Sequence, residues 1–243
     1  MSLLIALVFF AIVFLTALLS GIFGMAGGLL LLWFLLLALP ASVAIVVHGV
    51  IQLCSNASRA WFSRHYINAR IVAVIASGGA LSAIALALIG YHPNTTIVSL
   101  LIGVMPILVW IPKAWFHFDA ARPSHAFGCG IVAGGLTIAA GVSGPTIDLF
   151  FIRTAMDRRQ IVATKAAVQV IAHAIKIVFY AGSALALSGE QWGVVALAVP
   201  FAILGTRAGN GMLRRLTDAN FRYWTRWIVT VIGGFYLLQG LLL

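Results

Sequence analysis

Four polar side chains stand inside one apolar stretch of this chain. Between residues 160 and 181, Lys165, Gln169, His173 and Lys176 follow one another at spacings of four, four and three. At about 100° per residue that spacing puts all four on one narrow helical stripe, with Ala, Val and Ile around the rest of the circumference. A charge at bilayer depth costs roughly 2.5 to 3.5 kcal/mol on insertion scales, so two cations and an imidazole there need partners or a wet cavity. That makes the stripe a candidate functional site. For a helix beginning at residue 160, the 1.5 Å rise puts Gln169 about 13 Å in and His173 about 20 Å, while Lys165 and Lys176 lie nearer opposite ends, where they could snorkel. Gln169 and His173, with Gln52 from a similar stretch upstream, are therefore the expected midplane ligands. His173 is also a candidate proton carrier, because an imidazole titrates near physiological pH. Asp148, the one acid inside a span, has three readings: capping a helix start, pairing with Lys165 or Lys176, or relaying protons.

The elements that hold such a stripe are membrane helices. With 63% hydrophobic and 8% charged residues over 243 positions, the composition excludes a water-soluble domain. Apolar blocks of spanning length lie around 2 to 20, 43 to 63, 71 to 90, 97 to 111, 126 to 152, 160 to 181, 191 to 206 and 223 to 243. Backbone in lipid must satisfy its own hydrogen bonds, and the alternation of barrel strands is missing, so the expected fold is an all-α polytopic membrane protein. The net charge of +10 comes mostly from residues flanking the spans, where Lys and Arg set topology rather than bind nucleic acid. Cys54 and Cys129 fall in apolar blocks, so neither a disulfide framework nor a metal site is expected, and no cofactor is called for. MSLLIALVFF lacks a basic n-region, and the first block is expected to remain in the protein.

Twelve of the 15 Lys and Arg fall in four segments, around 64 to 70, 113 to 122, 153 to 159 and 207 to 226. The connections at 91 to 96 and 183 to 192 have none, so they are expected outside the cytoplasm. If 113 to 125 and 153 to 159 are both cytoplasmic, the block between them must leave and return on one side. Its sequence, GCGIVAGGLTIAAGVSGP, has glycines for a break and Pro145 for the first turn of the helix that restarts. A shift of 117 residues superposes Gly24 and Gly27 on Gly141 and Gly144, then His48, Gln52, Asn56 and Arg59 on Lys165, Gln169, His173 and Lys176. The chain thus divides into two repeats, 1–117 and 118–243, each a glycine-broken segment, a polar-striped helix and two plain helices. A re-entrant broken segment leaves three crossings per half and inverts one half against the other; eight full crossings with parallel repeats is the alternative.

At this point the chain resembles the sulfite exporter TauE/SafE family of membrane permeases. The likeness rests on SGIFGMAGG at 20 to 28, AAGVSGP at 139 to 145, RRQIVATKAAVQ at 158 to 169, and LGTRAGNGMLRRLTDANFR at 204 to 222 before a final apolar span. The resemblance implies transport of small anions, notably sulfite and organosulfur acids. The first repeat departs from the commoner pattern, with GMAGG in place of a run of three glycines and His48 in place of a small hydroxyl residue.

Broken helices aim backbone N–H groups and a positive dipole end at the middle of the membrane. An oxyanion offers acceptors only, so N–H groups around 27 to 29 and 144 to 147, with the Ser143 and Thr146 hydroxyls, complement it. The expected substrate site is Gly27, Gly28, Gln52, Ser143, Gly144, Thr146, Lys165, Gln169 and His173, with His173 and Asp148 as proton-coupling candidates. The expected function is a secondary transporter of sulfite or organosulfur anions in the cytoplasmic membrane. Its expected partners are the bilayer and a small anion, with a homodimer left open. The rivals are an anion channel and a lipid-modifying membrane enzyme; a cation channel would want acidic rings, and the five acids show no paired-carboxylate spacing.

Overall fold

The computed structural model describes residues 3–24, 26–213 and 215–242, and among them no strand occurs. The helices run α1 (Leu3–Phe23), α2 (Ala26–Ala38), α3 (Ala41–Phe62), α4 (Ala69–Leu88), α5 (Thr95–Val104), α6 (Pro106–Trp110), α7 (Pro123–Ala140), α8 (Gly144–Phe150), α9 (Arg158–Phe179), α10 (Ala181–Ala184), α11 (Gly189–Leu213) and α12 (Asp218–Leu242). Seven of these described helices, α1, α3, α4, α7, α9, α11 and α12, are long and apolar enough to cross a membrane. The protein is an all-helical, multi-pass membrane protein.

Local sequence sets the helix starts. Asn68, Asn94 and Asp157 accept hydrogen bonds from first-turn N–H groups of α4, α5 and α9. The block at 97 to 111 is two short helices, because Pro106 has no N–H to continue the ladder past Met105. The broken block at 126 to 152 divides unequally, into 18 residues of α7 and seven of α8. Arg207, just past the apolar block at 191 to 206, is carried on α11, which extends to Leu213, and its guanidinium lies 5.5 Å from the Phe62 ring centroid.

The most buried of the seven long helices is α3, and it packs along α9 at the centre. To either side, α1 packs on α11 and α4 on α7. Small residues bring these backbones together: a Cβ added at Gly209 would sit 2.2 Å from the Leu18 carbonyl oxygen, and one at Gly130 would sit 2.1 Å from that of Ile75. Ser55 and Thr206 share a 2.7 Å hydrogen bond between α3 and α11, and Ser82 donates to the Ile131 carbonyl at 2.6 Å between α4 and α7. The outer faces keep large apolar residues such as Leu15, Ile84 and Leu197 exposed, as contact with lipid requires.

After α8 the chain returns to the segment that precedes α7. The Ala120 N–H donates to the Phe150 carbonyl at 2.7 Å, Phe118 stacks on Phe150 with ring centroids 4.5 Å apart, and Arg153 donates to the carbonyls of Ala114 and Phe116. The two basic segments expected on one side of the membrane are therefore neighbours.

Candidate functional site

Two glycine breaks frame the site. Gly24 follows α1 with φ 75° and Gly141 follows α7 with φ 78°, a left-handed state that costs an L side chain roughly 1 to 2 kcal/mol. The chain restarts as α2 at Ala26 and as α8 at Gly144. Between these restarts and the facing sides of α3 and α9 lies a cavity of about 30 Å³. Its walls are Ser20, Gly24, Gly28 and Leu29 from the first break, His48, Gln52 and Asn56 from α3, Thr137, Val142, Ser143, Gly144 and Pro145 from the second break, and Gln169, Ala172 and His173 from α9. Four pairs of these, Ser20 with Thr137, Gly28 with Pro145, Gln52 with Gln169 and Asn56 with His173, are each 117 residues apart.

Hydrogen bonds fix part of the lining. The Thr137 and Ser143 hydroxyls lie 2.7 Å apart, Ser20 donates to the Gly24 carbonyl at 2.6 Å, and the Asn56 amide donates to the Gln52 carbonyl at 2.9 Å. His48 and His173 meet edge to face, with ring centroids 5.7 Å apart. The Nδ1 atom of His173 is buried without a hydrogen-bond partner among the described residues. An orphaned buried donor or acceptor is costly, so one beside a cavity points to a ligand that completes it.

A wider cavity of about 220 Å³ adjoins the first. The two share Ser20, Gly24, Gly144 and Gln169, and the wider one adds Arg59, Asp148, Lys165 and Asn210 to its walls. It forms a vestibule to the inner cavity. Arg59 donates to the Ser20 carbonyl at 3.1 Å while its Nε is buried and unpartnered among the described residues. Lys165 forms an ion pair with Asp148, and both remain partly exposed.

Of the nine residues expected to bind substrate, Gly28, Gln52, Ser143, Gly144, Gln169 and His173 line the inner cavity together. Lys165 lies in the vestibule instead. Gly27 is a packing residue: a Cβ there would be 1.8 Å from the Thr16 carbonyl oxygen, so α1 and α2 meet over it. Thr146 is buried with an unpartnered hydroxyl but does not line the cavity, and the Ile147 N–H, expected to be free, donates to the Ser143 carbonyl at 3.1 Å. Of the readings open for Asp148, the pairing with Lys165 is the one found.

Lys176 does not snorkel. It is wholly buried, and its Nζ lies 2.8 Å from both the Gly141 carbonyl oxygen and His48 Nδ1. Depth along a lone helix misplaces it, because α3 and the end of α7 cover that turn of α9 and bring acceptors closer than water. Ser20, His48, Asn56 and Thr137 were not among the expected ligands, yet they line the cavity. The offset of 117 residues, applied to every polar position rather than to the stripe alone, is the signal that pairs Ser20 with Thr137.

The arrangement suits a small oxyanion. Arg59, Lys165 and Lys176 stand in or beside the two cavities, and Asp148, the one carboxylate on the described walls, is held by Lys165. Hydroxyl, amide and imidazole groups supply donors, which is what an acceptor-only ligand needs. Comparison with curated proteins and with solved structures finds no match. The sulfite exporter TauE/SafE family, a family of membrane transporters, matches residues 9–236. That span takes in both glycine breaks, both polar helices and the whole lining of the inner cavity, and the chain belongs to the sulfite exporter TauE/SafE family.

Proposed function

We propose that the protein is a secondary transporter that carries a small anion, sulfite or a related organosulfur or sulfonate ion, across the cytoplasmic membrane. One observation carries this: four residue pairs with a single sequence offset converge on one cavity between two glycine breaks. Equivalent residues from two halves of a chain meet in this way when the halves, 1–117 and 118–243, are related by a two-fold axis through the site, as in transporters built from inverted repeats. The packing supports that relation, since α1 lies on α11 and its counterpart α7 lies on α4, the counterpart of α11. The return of α8 to the segment before α7 supports a re-entrant second break.

The vestibule opens where α3 and α11 run into the basic segments at 64 to 70 and 207 to 226, the cytoplasmic end by charge bias. An anion drawn in by Arg59 and Lys165 sheds water as it passes Gln169 into the smaller cavity. There Gln52, Gln169, Ser143 and His173 replace the lost hydrogen bonds. Isothermal titration of the protein in lipid nanodiscs against sulfite, sulfate, thiosulfate and small sulfonates tests the binding step. Saturable heat with at least one of them is expected, and no heat with any overturns the proposal. For the inverted halves, a single cysteine at position 94, in a background without Cys54 and Cys129, is expected to react only from outside the cell. Labelling from the cytoplasmic side alone overturns that topology.

A further inference from the structure

Lys176 carries its amine to the end of α7 along a groove that sequence has kept clear. Its stem crosses Gly49, where an added Cβ would lie 2.9 Å from Lys176 Cε. Both groups on Nζ are acceptors. The Gly141 carbonyl can only accept, and His48 Nδ1 must accept as well, because the Nε2 of the same ring lies 3.0 Å from the Gly28 carbonyl oxygen and holds the proton. The ring is thus a neutral bridge with one edge on the ammonium and the other on the wall of the inner cavity.

Among the described residues the Lys176 amine has no carboxylate partner. Asp148 pairs with Lys165, Asp119 lies 3.9 Å from Arg122, and Asp157 caps α9. Around it the Tyr180 and Tyr91 hydroxyls donate to the Ile138 and Ala139 carbonyls and His173 faces His48 across the cavity, while the other cation near the site, Arg59, lies at the first break on the wall of the wider cavity. A buried charge is tolerated when something of opposite sign completes it.

Building on the anion-transport proposal, we infer that Lys176 is charged when the site is loaded and that the transported anion is itself its counter-ion. Lys176 never touches it. The ammonium polarises the His48 imidazole, and the cavity so charged takes one negative charge. The site therefore selects a monoanion over a dianion of similar shape, and Lys176 acts as a positioning residue for that selection.

The test is anion affinity in nanodiscs, with methanesulfonate as monoanion and sulfate as dianion. The parent is expected to prefer methanesulfonate. Lys176→Met is expected to lose about tenfold or more of that affinity and to lose the preference, whereas Lys176→Arg keeps the preference. A role confined to capping α7 would weaken both anions by one factor and leave their ratio untouched, which overturns the inference. Should Lys176→Met fail to fold, His48→Glu decides: it hands the ammonium an internal carboxylate, so it is expected to bind methanesulfonate about tenfold or more weaker than His48→Gln, in which the relay stays neutral. Equal affinities in those two variants overturn the inference. A parent that binds neither these anions nor sulfite or thiosulfate removes the transport proposal itself, a different result from a parent that binds them without regard to Lys176.

Discussion

The two glycine breaks share a design but not their surroundings. Each ends its helix in the same left-handed backbone, and at each a cation from the neighbouring long helix donates to a carbonyl, Arg59 to Ser20 and Lys176 to Gly141. Arg59 and Lys176 are themselves 117 residues apart. At the second break the carbonyls of Ile138, Ala139 and Gly141 accept from Tyr180, Tyr91 and Lys176, and a Cβ at Gly141 would lie 2.9 Å from Leu32. At the first, a Cβ on Gly24 would meet nothing within 4 Å and Gly24 itself lines the vestibule, which the second break reaches through Gly144 but not through Gly141. The broken backbone is thus common to both halves, while access is set by what caps and covers each helix end. In the transporter proposed above, one end stands shut and the other open, and transport exchanges the two conditions.

The largest effect expected comes from adding a methyl group at each break. Gly24→Ala meets only backbone strain, about 1 to 2 kcal/mol, whereas Gly141→Ala adds overpacking against Leu32 and Ile45, for about 2 to 5 kcal/mol in all. Thermal unfolding of the two variants in one detergent measures the difference. Equal shifts in Tm would break the comparison, since the second break would then be no more tightly held than the first.

Next in size is the inner cavity, which both breaks share. In the proposed site His173→Ala or Gln169→Ala would remove a hydrogen bond to a charged ligand, and each is expected to weaken anion binding roughly 10 to 150-fold. Anion affinity is expected to rise as pH falls, because protonation of His173 adds a donor and a charge facing the ligand, and His173→Gln should flatten that profile. Parent-like affinity in both alanine variants would make the α9 stripe a packing face.

The legible part of this molecule follows from periodicity and the illegible part from cover. That Gln52, Gln169 and His173 face a cavity was legible because a polar stripe on an apolar helix has to face something other than lipid, and that constraint lies in the sequence. The glycine breaks were legible for the same reason, as positions where a spanning helix cannot run on. Lys176 was misplaced because burial by α3 and α7 is a property of three helices at once, and its distance along α9 carries no trace of them. That α1 packs against Gly27 was not legible, because a glycine that admits an anion and one that admits another backbone look alike until the neighbour is known.

The smallest effect is expected at Lys165, and it sharpens the contrast between the open end and the shut one. Lys165 and Asp148 pair at the vestibule wall with side chains 28% and 37% exposed, so water screens both and the pair itself contributes about 1 kcal/mol or less. Lys165→Ala leaves Asp148 uncompensated in the path of an incoming anion. Binding is then expected to weaken by no more than about fivefold at low salt, to recover as ionic strength shortens the reach of the carboxylate, and to recover also in Lys165→Ala combined with Asp148→Asn. Lys176, shut behind His48, is shielded from added salt, so the loss in Lys176→Met is expected to persist at every ionic strength tested. Titrations of these variants at two salt concentrations separate a screened charge from a buried one. If Lys165→Ala instead costs as much as His173→Ala at both concentrations, the ammonium of Lys165 touches the anion directly, and the vestibule is part of the binding site rather than its approach.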